Sequence, residues 1–104
     1  MQVDRERVAS LINDIEAEMQ RNGMWQTDPL RPEQLQFTQA FGMDTMAYSQ
    51  WLQFIFLPRV REAITTNSFP SSSSVGTQAI REFDTVADSD RLVSLLCEFD
   101  SLFR

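Results

Sequence analysis

The sequence predicts an all-α protein: a small helical bundle of three long helices plus one or two short ones, with no sheet. Three observations carry that prediction. Two segments at opposite ends of the chain, residues 4–22 and roughly 88–103, space large apolar side chains three and four apart, the period of a helix with one buried face. A third, residues 45–64, is apolar on most of its circumference, as a central helix must be. Nowhere do apolar and polar residues alternate as a half-buried strand requires. The 104 residues make one domain, 1–104. A chain of this size buries about 65% of its unfolded surface, enough for a core without metals or disulfides.

The first helix is read over residues 4–22. Val8, Leu11, Ile12, Ile15 and Met19 form its stripe, Asp4 caps its start, and Asn22-Gly23 supplies a left-handed stop. Its other faces carry Arg5, Glu6, Arg7, Asp14, Glu16, Glu18 and Arg21, read as solvated charge. Residues 24–44 are punctuated by Asp28-Pro29, Arg31-Pro32 and Gly42, and Pro32-Glu33 suits the first turn of a short helix over about 32–39. Trp25, Leu30, Leu35, Phe37 and Phe41 make this stretch a packed connection. Asp44 is expected to cap the central helix of residues 45–64. On an ideal wheel Ala47, Tyr48, Trp51, Leu52, Phe54, Ile55 and Pro58 face the core, and Pro58 kinks the helix near 54–58. Residues 65–76, with the run Ser71 to Ser74, read as a solvated loop. A short helix follows over about 76–86. The last helix starts near Asp88 or Ser89, and its stripe of Leu92, Leu95, Leu96, Phe99 and Phe103 repeats the first. These two helices are expected to pack on the two flanks of the central one, with Trp51, Phe54 and Ile55 at the middle of the core.

What the composition lacks bounds the chemistry. There is no histidine, hence no neutral-pH proton shuttle and none of the commonest metal ligand, and no lysine, hence no Schiff base or P-loop. Cys97 is the only cysteine, which rules out an internal disulfide and fits a reducing, cytoplasmic setting. With Glu98 beside it and no base available, the thiol is read as structural. Asp14, Glu16, Glu18, Asp88 and Asp90 read as surface charge, because neighbours two apart do not face each other on a helix. The charged N-terminus is not expected to be a secretory signal, and the longest apolar block, Trp51 to Pro58, falls far short of the ~20 residues that span a bilayer. No catalytic residue, cofactor or metal is therefore expected.

Arg59 and Arg61 follow an aromatic segment, a combination that stacks on nucleic acid. However, a net charge of −6 sets the field against a polyanion, and direct nucleic-acid binding is not expected. Gln50 and Gln53 lie near one another on the narrow polar strip of the central helix. Either they satisfy each other or a buried loop carbonyl, or they mark a half-polar groove. In the second case the candidate interaction surface is Ser49, Gln50 and Gln53, rimmed by Met46, Phe56 and Leu57, with Arg59 and Arg61 at one end. An alternative is a small-molecule cleft, in a binding protein or cofactor-free enzyme, around Asp44, Gln50, Gln53 and Arg59.

The string Phe41-Gly42-Met43-Asp44-Thr45-Met46, followed by Gln50-Trp51-Leu52-Gln53-Phe54-Ile55-Phe56-Leu57-Pro58-Arg59, resembles the signature of the YqcC-like family of small bacterial proteins. Phe69-Pro70 and the C-terminal helix fit more loosely, so the resemblance spans nearly the whole chain. Ala40 stands where the family usually has proline, and the serine run Ser71 to Ser74 is a second departure, in a variable loop. The resemblance implies a small helical bundle whose family name is tied to tRNA pseudouridine synthase C. It does not imply that this chain is that enzyme, whose catalytic Asp sits in a sheet-containing domain more than twice this size. The expected partner is another protein, with the family name suggesting a tRNA pseudouridine synthase as one candidate, or a second copy of the chain engaged through the polar strip.

Overall fold

The computed structural model describes residues 3–103, and within them every regular element is helical. Helix α1 is Arg5–Arg21. Helix α2 is continuous through three pieces: Tyr48–Trp51, a π segment Leu52–Phe56, and Leu57–Thr66. Helices α3, Val75–Glu82, and α4, Asp90–Ser101, follow. Two 3₁₀ turns, Pro32–Leu35 and Ala40–Gly42, lie between α1 and α2. Among the described residues no helix is long and apolar enough to cross a membrane.

Helix α1 begins and ends where its sequence directs. The Asp4 carboxylate accepts from the N–H groups of Glu6 and Arg7 at 3.0 and 3.3 Å. At the other end Gly23 adopts φ +81°, and the Met24 N–H reaches back to the Met19 carbonyl at 3.0 Å, closing a Schellman turn. All five residues of its apolar stripe are fully buried, and those of α4 are buried as well. The two stripes meet each other directly, however, rather than lying on opposite flanks of α2. α1 packs on both α4 and the Leu57–Thr66 part of α2. α4 reaches α2 through the Phe56 and Phe99 rings, 5.0 Å apart.

The connection before α2 differs from expectation. The helix expected over 32–39 is a single 3₁₀ turn, because the Thr38 and Gln39 N–H groups donate to the Asp44 carboxylate instead of to helix carbonyls. Asp44 is thereby drawn away from capping. α2 starts four residues later, at Tyr48, where the Gln50 side chain accepts from the Ala47 N–H at 2.9 Å.

Within α2 the π segment resets which face is buried. The Leu57 N–H donates to the Leu52 carbonyl, five residues back, and Pro58 immediately afterwards has no N–H to continue the α pattern. The kink expected at Pro58 is this wider turn. At about 100° per residue, Leu52 and Leu57 would point about 140° apart on an α-helix. The five-residue turn brings them to one side, and both are completely buried. Phe56 and Leu57 consequently replace Phe54 and Ile55 at the middle of the core, and the latter pair sit half-buried at its edge.

Helix α3 is shorter than expected, ending before Phe83. The chain then turns through Asp88 at φ +60°, and Ser89 donates its hydroxyl to the Val86 and Phe83 carbonyls before α4 begins. α3 crosses α4 at Gly76, where a Cβ would stand 2.5 Å from the Cys97 Cα.

Candidate functional site

The polar strip of α2 does not form a groove. Gln53 is buried, and its amide clamps the backbone of one residue of the α1–α2 connection: Oε1 accepts from the Gln26 N–H at 3.0 Å and Nε2 donates to the Gln26 carbonyl at 2.8 Å. Gln50 is half-buried, with Nε2 donating to the Gln26 side-chain oxygen at 3.1 Å. Met46, Phe56 and Leu57, expected at the rim, are all buried in the core, and Ser49 is half-buried beside them. Arg61 is tied to Glu16 of α1 at 2.7 Å. The alternative cleft fails as well, since Asp44 is committed to Thr38 and Gln39 and the glutamines to Gln26, while Arg59 lines a different concavity.

That concavity is a half-open cavity of about 210 Å³ between the second half of α2, the loop before α3 and the end of α4. Phe56, Val60, Phe69, Phe99 and Phe103 form its apolar walls, with Arg59 and the serines of the 71–74 run at its edge. The walls are the end of a run of touching aromatic rings that passes from Phe41 through Trp51, Phe56 and Phe99 to Phe103 and Phe69.

The loop over the cavity is fixed by Asp100, a buried carboxylate near the end of α4. It accepts from the Ser73 hydroxyl at 2.6 Å and from the N–H groups of Val75, Gly76 and Thr77 at 3.0, 2.8 and 3.4 Å. Asp100 thus caps α3 from another helix, replacing the cap that Ser74 does not provide. The Tyr48 hydroxyl donates to the Val75 carbonyl at 2.7 Å and ties the same corner to α2. The serine run, read as a solvated connector, is therefore anchored at Ser73. Neither Asp100 nor Phe69 stands out in the sequence, because the partners of each lie more than 20 residues away.

Two groups with reactive potential are held in their unreactive forms. Burial pushes the Cys97 thiol up, with the Asp100 carboxylate adding to the effect. Burial likewise raises the Tyr48 phenol, again with Asp100 nearby. A second cluster joins α1 to the α3–α4 turn. The Arg21 guanidinium pairs with Glu18 and, at 3.0 and 3.1 Å, with Asp88. Its hydrogen bonds hold both carboxyls below their usual range. Glu18 is only 5% exposed, so it is a buried ion-pair member and not the solvated charge its spacing suggested.

The family model DUF446, described as tRNA pseudouridine synthase C, matches residues 7–102. The chain belongs to this YqcC-like family. An uncharacterised YqcC of Escherichia coli K12 is 28% identical over 97 residues, 93% of this chain and 88% of that one. The solution structure of Escherichia coli YqcC superposes with a TM-score of 0.83 at 26% identity, covering 95% of this chain and 86% of that one. A protein of Pectobacterium carotovorum subsp. carotovorum named tRNA pseudouridine synthase C is 37% identical over 54 residues, which are 52% of this chain but 14% of that protein. The YqcC-like signature block, Gln50 to Arg59, is here the π-turned part of α2 together with Gln53, its clamp on the connection. Its last residue, Arg59, stands at the mouth of the cavity.

Proposed function

We propose that this YqcC-like protein is a non-enzymatic partner of a tRNA pseudouridine synthase, working in the cytoplasm beside that enzyme. One observation carries the reading: a stretch similar to half of this chain is a small part of a much longer protein named tRNA pseudouridine synthase C. A module found within a longer chain in one organism and as a separate chain in another fits two proteins that act together. The chemistry supports the non-catalytic half of the proposal. The sequence has no histidine or lysine, and its half-buried thiol and buried phenol are both held protonated.

The test mixes the purified protein with the tRNA pseudouridine synthase C of the same genome. A heterodimer by size-exclusion chromatography with light scattering is expected, with a Kd of about 1 μM or below. The complex is expected to change the rate of pseudouridine formation on tRNA, and this protein alone to form none. Two separate peaks at tens of micromolar, roughly tenfold above that Kd, reject the partnership. A homodimer without the synthase points instead to self-association.

A further inference from the structure

We propose that the cavity between α2, the loop of residues 67–74 and the end of α4 binds a small carboxylic acid with a compact apolar body. In this site the body fills the space among Phe56, Val60, Phe69, Phe99 and Phe103, and Arg59 holds the carboxylate at the mouth. Size sets the body. An apolar cavity of roughly 150 Å³ takes a benzene ring, so about 210 Å³ takes one ring with a short chain or a branched alkyl group. Charge sets the head. Arg7, Arg21, Arg31, Arg61 and Arg91 each stand within 4.0 Å of a carboxylate; Arg5, Arg59 and Arg81 have no such partner among the described residues, and of these three only Arg59 lines the cavity. Its guanidinium is exposed and free to take a bidentate anion. The one buried carboxylate behind the cavity wall, Asp100, has its oxygens taken up by Ser73 and the start of α3. The loop is held by these bonds before any ligand arrives, so little ordering is needed on binding.

This inference concerns the isolated chain and stands or falls without the synthase. The experiment titrates the full chain with 3-phenylpropionate and, separately, with its neutral amide, following amide chemical shifts and calorimetry. A Kd near 1 mM is expected for the acid, given the ligand's size. The shifts should centre on residues 67–75, Ala63 and Phe103, and the amide should bind about three- to fivefold more weakly. Arg59→Gln should abolish that preference without moving the melting temperature, because its side chain is exposed. Ala63→Phe should block both probes, and a melting curve checks that it folds. The proposal is overturned by no shifts in the loop at about 10 mM acid, roughly ten times the expected Kd. Shifts centred elsewhere, or equal binding of acid and amide, overturn it too.

Discussion

Gln53 illustrates how a polar residue serves a core. Its amide gives the Gln26 N–H an acceptor and the Gln26 carbonyl a donor inside the fold, so Gln53→Ala leaves two half-buried groups without partners. Such a loss costs about 1–3 kcal/mol. Gln50→Ala, at a half-buried side chain bonded to Ala47 and the Gln26 side chain, is expected to cost less, about 0.5–1.5 kcal/mol. Urea unfolding of the two variants checks the order, and equal losses would contradict the clamp. Gly76 makes a different demand. The Cβ of Gly76→Ala would lie 2.5 and 2.6 Å from the Cα and N of Cys97, and backbone cannot move aside as a side-chain tip can. α3 must lift from α4, at a cost of about 1–3 kcal/mol as for overpacking elsewhere. Cys97→Ser leaves that backbone in place and is expected to preserve any partner binding, which the same chromatography measures.

At the scale of elements, what the sequence revealed depended on whether the deciding contacts were local. The stripes of α1 and α4 were legible because both are straight α-helices whose 3.6-residue period survives into the fold. The buried face of α2 was legible only as far as Leu52. Beyond it the π segment shifts the phase, so an ideal wheel placed Phe56 and Leu57 at the rim of a groove when they are core. The start of α2 was misplaced because Asp44 found closer donors in Thr38 and Gln39. The start of α3 was illegible in principle, since its cap comes from Asp100 on another helix. That arrangement makes a prediction. Asp100→Ala removes the acceptor for three N–H groups and the Ser73 hydroxyl, and is expected to destabilise by about 2–3 kcal/mol. Hydrogen exchange should quicken at residues 75–77 well before it does in α1. Uniform loss of protection across all four helices would show that Asp100 does not act through α3.

Across the whole molecule, the pattern of charges sets the response to acid. There is no histidine, so no side chain has an ordinary titration between about pH 5 and 8. Cys97 and Tyr48 are pushed further above that window. Stability is therefore expected to be flat from pH 8 to about 5. Below it, three carboxyls matter. Hydrogen bonds from Arg21 hold Glu18 and Asp88 below their ordinary values of 4.5 and 3.8, and the Thr38 N–H chiefly does the same for Asp44. Depressed values in the folded state mean that the unfolded chain binds more protons in this range. These groups therefore contribute their full stabilisation above the ordinary values and lose it as pH falls through the folded ones. Glu18 should dominate, because it is buried whereas Asp44 and Asp88 are exposed and screened by solvent. Glu18→Gln keeps the shape of the side chain but removes the charge that Arg21 needs. Urea midpoints measured from pH 7 to pH 3 should show the variant less stable at neutrality, with a shallower acid limb and a gap to the parent that narrows towards pH 3. A gap that stays constant with pH would mean that the Glu18 carboxyl titrates alike in the folded and unfolded chain. The junction of α1 with the α3–α4 turn would then be held by packing and the Arg21–Asp88 pair, not by the Glu18 charge.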